Sequence, residues 1–314
     1  MNLVLVEHAD GVATDVSLQA LALAVELDGE TQALLIGPGG AAAAAGVPAA
    51  VAHVVEAPAL DAFAPDAWAA IICDVAEQIG ATAVVAPGTG PATDAMARVA
   101  VRLGQPLATN VSAVTAGSPL SLTRLRWGGS LLEEAELHAG RALLTVAPHT
   151  VAAAAAGAPG SVETFTPELA EADLVVRVRD HVAPPAGGVS LADAKVVVTG
   201  GRGVGSAEGF AVIEELAALL GGAVGCSRAV TMSGWRPHTD QVGQTGNKIA
   251  PEIYIACGVS GATQHIAGAK GAKRILAVNT DPEAPIMSIA DYAVVGDLHE
   301  VVPAISAELR RRAG

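Results

Sequence analysis

The feature that most constrains this chain is a repeated order of elements. A short apolar run of strand length comes first, then a helix-length amphipathic segment, then another apolar run. Residues 3–6, 33–36, 51–56 and 83–86 read as buried strands, the last closed by Pro87-Gly88. Residues 15–27, starting near Thr14, and residues 65–79 and 94–103 read as helices between or after them. Parallel strands need crossover connections of this kind, so the alternation predicts a parallel sheet with helices on its faces. Composition agrees: hydrophobic residues make up 51% but aromatic residues only 3%, so the core must be built from Ala, Val, Leu and Ile.

The pattern changes between about residue 111 and residue 146. Short segments at 111–114, 122–126, 131–136 and 143–146 are punctuated by Gly and Pro, which predicts a small antiparallel excursion on the sheet edge. Residues 152–156 are low in complexity and read as a loop or short helix, and residues 174–178 as a returning strand. The run His181-Val182-Ala183-Pro184-Pro185-Ala186-Gly187-Gly188 then reads as a linker, because paired prolines and glycines continue neither a helix nor a central strand. Two domains are expected, residues 1–183 and 189–314. The second repeats the α/β order. Strands are predicted at 195–198, near 223–225, and at Ile253–Cys257, 275–278 and Tyr292–Val295, with helices at 207–220 and 301–312.

A formal net charge of −14 argues against nucleic acid, whose phosphates require clustered Lys and Arg. Three cysteines, Cys73, Cys226 and Cys257, show no C-x-x-C spacing and read as packing residues. No segment is long and apolar enough to span a bilayer, and the first residues enter a strand directly, so a cytoplasmic protein is expected.

Ligands of open parallel sheets bind outside the carboxyl ends of the strands, and the turns of the second domain carry the unusual residues there. Thr199-Gly200-Gly201-Arg202-Gly203-Val204-Gly205-Ser206 is glycine-rich but fails the G-x-G-x-x-G fingerprint and the P-loop pattern. It remains either a ligand loop or a tight packing turn. Cys226-Ser227-Arg228 puts a cation at the next strand end, facing a ligand or water. Gln241-Val242-Gly243-Gln244-Thr245-Gly246 offers amides, a hydroxyl and backbone N–H groups suited to a flat heterocycle. Gly258-Val259-Ser260-Gly261-Ala262-Thr263-Gln264-His265 reads as a strand end followed by a helix capped by Ser260, a setting that favours a phosphate. Asn279 and Asp297, at the last strand ends, suit ribose hydroxyls or an adenine edge, or simply helix capping.

In order and spacing these stretches, with Ala250-Pro251-Glu252-Ile253-Tyr254 and Asn279-Thr280-Asp281-Pro282-Glu283-Ala284-Pro285-Ile286, closely resemble the FAD-binding domain of electron transfer flavoprotein alpha subunits. Residues 87–114 resemble the family's first domain more loosely, and Gly88-Thr89-Gly90-Pro91-Ala92 departs from it. The resemblance implies an α/β fold of two domains, each a mainly parallel sheet flanked by helices, the C-terminal one a Rossmann-like FAD-binding unit. It places Arg228 near the isoalloxazine ring, Thr245 near N5, Gly243 and Gln244 along the same wall, and His265 toward the pyrimidine end. Ser227, Ser260 and Gly261 would hold the ribityl-diphosphate, and Asn279 and Asp297 the adenosine. Arg202, Ala262, Gln264 and Leu298 complete the expected contacts. A nearby Arg or protonated His would stabilise the negative charge that a flavin gains on reduction.

The resemblance further implies an electron carrier rather than a substrate-converting enzyme. It would pair with a beta subunit carrying AMP, accept electrons from flavoprotein dehydrogenases such as acyl-CoA dehydrogenases, and pass them to a membrane quinone oxidoreductase. Other readings are a bifurcating relative, an NAD-dependent enzyme resting on the glycine-rich turn, and a ligand-sensing scaffold without redox function.

Overall fold

The computed structural model describes residues 1–129, 131–180, 190–191 and 194–313, so the expected linker at 181–188 lies outside the described residues. The chain forms two compact units, Met1–His181 and Val182–Gly314.

In the first unit, β1 (Asn2–Leu5), β4 (Thr31–Ile36), β5 (Val51–Val55), β6 (Ala83–Pro87) and β10 (Ala142–Val146) are parallel neighbours in the order β5-β4-β1-β6-β10. β2 (His8–Ala9) and β3 (Val12–Ala13) form a separate short antiparallel pair, and α2 (Gly40–Ala44) follows β4. Both faces of the large sheet are covered, one by α1 (Asp15–Ala24) and the other by α3 (Pro65–Gln78) and α4 (Gly90–Leu103). Burial on both sides explains strands that are continuous apolar runs rather than alternating ones. α4 starts four residues before the sequence-based expectation. Thr89 caps it, accepting the Ala92 N–H at 3.2 Å, and Pro91 occupies its first turn, where a missing N–H costs nothing.

The antiparallel excursion is real but smaller than expected. β7 (Leu107–Thr115), β8 (Leu120–Arg126) and β9 (Leu131–Leu137) pair antiparallel at one edge. β10 instead inserts parallel between β6 and β7; its residues 143–146 are all buried, as a central strand requires. A second correction concerns residues 174–178. Glu171–Leu174 is a 3₁₀ turn, held by Asp173, whose carboxylate accepts from Arg102 at 2.5 Å and from the Ala170 N–H at 3.0 Å. Val175 and Val176 follow it exposed. The strand is β11 (Ser161–Thr164), which adds to β5 through its backbone; its four exposed residues gave no hydrophobic signal.

In the second unit, β12 (Val196–Gly200), β13 (Ala223–Cys226), β14 (Ile253–Cys257), β15 (Ile275–Asn279) and β16 (Tyr292–Val295) are all parallel, in the order β13-β12-β14-β15-β16. Numbered within the unit this is 2-1-3-4-5, a doubly wound order whose switch point lies between β12 and β14. One face packs on α5 (Ala211–Leu219) and α9 (Leu298–Ala313) through Ile213, Leu216 and Val302. The other packs on α7 (Thr263–Ala269) and α8 (Pro285–Ile289) through Ala269 and Ile286.

At the switch point the two strand ends touch backbone to backbone. The Gly201 N–H donates to the Cys257 carbonyl at 2.9 Å, and the Gly203 N–H to the Gly258 carbonyl at 3.1 Å. A Cβ on Gly201 would overlap the Gly258 carbonyl, and one on Gly203 would lie 2.8 Å from the Gly258 Cα. Gly201→Ala is therefore expected to destabilise this unit by about 2 kcal/mol, the scale of overpacking a rigid site. Urea denaturation checks this, and a loss below about 0.5 kcal/mol, the scale of an ordinary surface substitution, would mean that the approach is not rigid.

Candidate functional site

The switch-point crevice is built from glycine, so ligand atoms can approach the backbone closely. Arg202 follows β12 directly. Arg228 follows β13, as the first residue of the short helix α6 (Arg228–Met232). Both side chains are exposed, and among the described residues neither guanidinium makes an ion pair or hydrogen bond; the carbonyls accept within their own turns, Arg202 from the Gly205 N–H and Arg228 from the Thr231 hydroxyl. The other arginines of this unit, Arg236, Arg274, Arg310, Arg311 and Arg312, are each paired with a carboxylate. Two unneutralised cations thus stand at adjacent strand ends. In the turn after β14, the N–H groups of Val259, Ser260, Gly261 and Ala262 have no acceptor among the described residues. Ser260 does not cap α7: the helix starts at Thr263 with Ala262 as its cap, and the Ser260 carbonyl instead takes the Ile286 N–H at 3.2 Å.

The loop after α6 lies on α7. The Gln244 N–H donates to the Gln264 carbonyl at 2.7 Å, and the Gly243 N–H to the Asn247 carbonyl at 3.2 Å. Gly268 permits this, since any side chain there would overlap the Gly243 backbone. Gly243, Gln244, Gln264 and His265 are therefore gathered in one place, as the sequence suggested. The imidazole differs from expectation, however. His265 is 7% exposed, and its Nε2 meets the hydroxyl of the fully buried Tyr254 at 2.6 Å. Burial pushes its pKa down to about 4, opposed more weakly by the Val242 carbonyl. Nδ1 is buried without a partner at hydrogen-bond geometry. At neutral pH the ring is uncharged, so positive charge at this site comes from the arginines and not from a protonated His265.

The remaining expected residues divide. Ser227 sits at the α6 N-cap position without a side-chain cap bond, half-buried beside Arg228. Thr245 is exposed and accepts a hydrogen bond from Gln241 at 2.9 Å. Gly261 packs against the start of α8. Asn279 uses its amide within the fold, donating to the Val259 carbonyl at 2.9 Å and accepting the Asp281 N–H at 3.0 Å. Asp297 begins α9, accepting the His299 N–H at 2.8 Å, and Leu298 is buried against Gly258. The sequence analysis assigns no role to Tyr254, and takes Gln241 only as part of the loop suited to a flat heterocycle. The available signal was a phenol inside a wholly apolar strand, because a buried Tyr hydroxyl needs a partner.

The corresponding switch point of the first unit, between β1 and β6, is acidic. Burial raises the pKa of Glu7, whose carboxylate accepts from Thr89 at 2.8 Å. Arg98 and Arg102 of that unit are paired with Asp66, Asp94 and Asp173. A cleft of about 450 Å³ there, lined by Asn2, Thr82, Ser118 and His138 among others, lies at the amino ends of β1 and β6, the wrong end for a sheet ligand. Burial raises all three free thiols, Cys73 to about 11 and Cys226 and Cys257 to about 12, which leaves them inert. Among the described residues no group of acidic, His or Cys side chains could hold a metal, and no helix is long and apolar enough to cross a membrane.

The His265 burial has a measurable consequence. Its folded pKa lies below its unfolded value of 6.5, so the unfolded chain binds the extra proton as pH falls. Stability is complete above 6.5 and declines as pH drops toward about 4. The loss is on the order of 3 kcal/mol. Urea denaturation across this window should show that decline in the native protein and a flatter profile in His265→Gln. Parallel profiles would mean that the imidazole is solvated.

Residues 2–171 match the family described as the electron transfer flavoprotein domain, and residues 190–270 the electron transfer flavoprotein FAD-binding domain. The chain is 40% identical over 320 residues to an electron transfer flavoprotein subunit alpha of Mycobacterium tuberculosis, covering 99% of each chain. It is 36% identical over 317 residues to the same subunit of Bacillus subtilis, covering 98% of this chain and 97% of the relative. With that of Paracoccus denitrificans it shares 43% over 226 residues, 72% of each chain. The glycine-lined switch point with its two free arginines therefore lies within a chain that belongs to the electron transfer flavoprotein alpha-subunit family.

Proposed function

We propose that the unit Val182–Gly314 holds one FAD at the β12/β14 switch point and that the chain is an electron carrier, not a substrate-converting enzyme. The observation that carries this is the pair of unneutralised arginines, Arg202 and Arg228, beside a crevice of bare glycine backbone. The donor set fits a flavin dinucleotide. Arg202 and the free N–H groups of residues 259–262 suit the diphosphate, and the 243–245 loop offers amide and hydroxyl groups to a flat ring. FAD supplies the capacity to take up and release electrons; the protein supplies position and charge. Arg228 offsets the negative charge that reduction adds. Neutral His265, held by Tyr254, offers a buried dipole without a competing charge. Ser227, Gly261, Ala262 and Gln264 complete the proposed wall around the cofactor. Asn279, Asp297 and Leu298 shape the adenosine end, the first two through the turns they brace.

The proposed setting is a cytoplasmic heterodimer with a beta subunit carrying AMP. It would take electrons from flavoprotein dehydrogenases, acyl-CoA dehydrogenases among them, and deliver them to a membrane quinone oxidoreductase. Family membership supports this route, and the acidic surface of the chain excludes no step of it. The NAD-enzyme reading rests on the glycine-rich turn alone, and residues 199–206 lack the G-x-G-x-x-G spacing.

The chain co-purified with its beta subunit should be yellow, with flavin absorption bands, and a colourless complex that takes up no added FAD would refute the proposal. Arg228→Ala should lower the potential of the first one-electron step. The expected size is roughly 1–2 kcal/mol of charge-assisted interaction, some tens of millivolts. Arg274→Ala, which removes an equal charge paired with Asp291, should leave it unchanged. Equal shifts in the two variants would reduce Arg228 to a share of the net charge.

A further inference from the structure

The strand-end loops carry one buried side chain to which neither the family resemblance nor the site description assigns a purpose. Gln241 is 3% exposed and sits between two elements of the proposed flavin site. Its backbone is locked against the carboxyl end of β13: the Val242 N–H donates to the Cys226 carbonyl at 2.9 Å, and the Gln241 carbonyl takes the Asn247 N–H at 2.7 Å. Its side-chain amide has partners at both ends. Oε1 accepts from the Thr231 hydroxyl at 2.7 Å, and Nε2 donates to the Thr245 hydroxyl oxygen at 2.9 Å. Thr231 belongs to α6, the helix that Arg228 opens, so this one amide ties the Arg228 turn to the Thr245 loop.

We propose that Gln241 is a positioning residue that fixes the Thr245 hydroxyl as a hydrogen-bond donor to the cofactor. A hydroxyl has one proton and two acceptor sites. An amide NH₂ can only donate, so Gln241 fills an acceptor site of Thr245 and leaves its proton unused. Among the described residues that hydroxyl has no other partner, and Thr245 is exposed. The proton is thereby directed out of the protein. The Thr231 hydroxyl faces two acceptors, Gln241 Oε1 at 2.7 Å and the Arg228 carbonyl at 2.9 Å; with its one proton on the shorter contact it holds the amide in this sense, and burial strengthens the amide's hydrogen bonds by excluding water. An unsupported Thr hydroxyl would rotate among three staggered positions and present a proton or a lone pair equally well. Gln241 selects the form that complements a ring nitrogen bearing a lone pair, which is N5 of an oxidised flavin. The inference rests on the FAD reading and deepens it, because it assigns the direction of a hydrogen bond and not merely a contact.

The test compares FAD with 5-deaza-FAD, in which N5 is replaced by a C–H that accepts no hydrogen bond. The full chain with its beta subunit is stripped of cofactor and titrated with each flavin. The native protein should bind FAD about tenfold more tightly than the deaza analogue, the worth of one well-directed hydrogen bond. In Gln241→Met the ratio should fall to roughly two- to threefold, since freely rotating hydroxyls make a weaker average bond, while deaza-FAD affinity stays unchanged. The unchanged affinity reports that the fold is intact. Thr231→Val, which releases the amide without touching Gln241, should lower the ratio in the same way. In a Thr245→Val background the Gln241→Met change should have no further effect on the ratio. A ratio unmoved by Gln241→Met would overturn the proposal, and so would one that rises, the mark of an amide turned the other way. Loss of both flavins in both the Gln241 and Thr231 variants would make the network structural only. If the native protein binds neither flavin, it is the FAD reading that fails.

Discussion

The second unit depends on a contact that only glycine can make. Where β12 and β14 end, the chain must turn away in opposite directions, one branch toward α5 and the other toward α7. The backbones at this divergence are close enough for Gly201 and Gly203 to donate to Cys257 and Gly258. Gly258 has φ of 63° and packs against Leu298, and any side chain at Gly201 would strike its carbonyl. The result is a crevice floor of peptide groups without side chains. A dinucleotide can reach N–H donors there that a Val or Leu floor would cover. Arg202 stands in this turn because the turn must be there, and Arg228 stands beside it because β13 is the next strand over.

Much of this was legible in the sequence, for identifiable reasons. Parallel strands announce themselves as apolar runs, and the strands of the second unit lie at or near their expected places; β16, expected as a buried strand, is instead mostly exposed, because it is the edge strand of the sheet. The strand ends were equally visible, since Gly, Ser and Asn mark them. What stayed hidden was whatever the hydrophobic pattern does not encode. Residues 161–164 form a strand with no buried residue, made by backbone pairing, whereas the apolar pair Val175 and Val176 is exposed and forms none. Residues 143–146 looked like the preceding edge segments but lie in the middle of the sheet. Direct sequence succession misled there, because parallel order requires a strand to return past its predecessors.

The sequence places the expected residues at strand and helix ends but does not say which bonds each of them makes there. His265, Asn279 and Asp297 are all at strand or helix ends, where a ligand contact and a structural bond look alike in one dimension. The structure separates them by their partners. Asp297 is a helix cap, Asn279 braces the turn after β14, and His265 is a neutral ring held by Tyr254. Tyr254 went without a role because it lies in a run that is explained by burial, and the Gln241 side chain went unseparated from the polar loop around it. Polar groups within such runs are the informative ones, since each must find a partner in place of water.

These assignments bear on how an acidic protein holds an anionic cofactor. A net charge of −14 opposes a dinucleotide at long range, but at physiological salt that opposition is screened beyond about 8 Å. The charges nearest the crevice then weigh most, and several acids of the unit are already engaged elsewhere. Glu214, Glu215, Glu308, Asp240 and Asp291 are each engaged with another arginine. Pairing those cations leaves Arg202 and Arg228 as the local excess. Had His265 been charged, a third cation would have been buried beside Tyr254, at a desolvation cost that its depressed pKa already expresses. The fold keeps these two arginines at exposed strand ends, where they remain hydrated, and holds the buried His265 as a neutral ring against the Tyr254 hydroxyl.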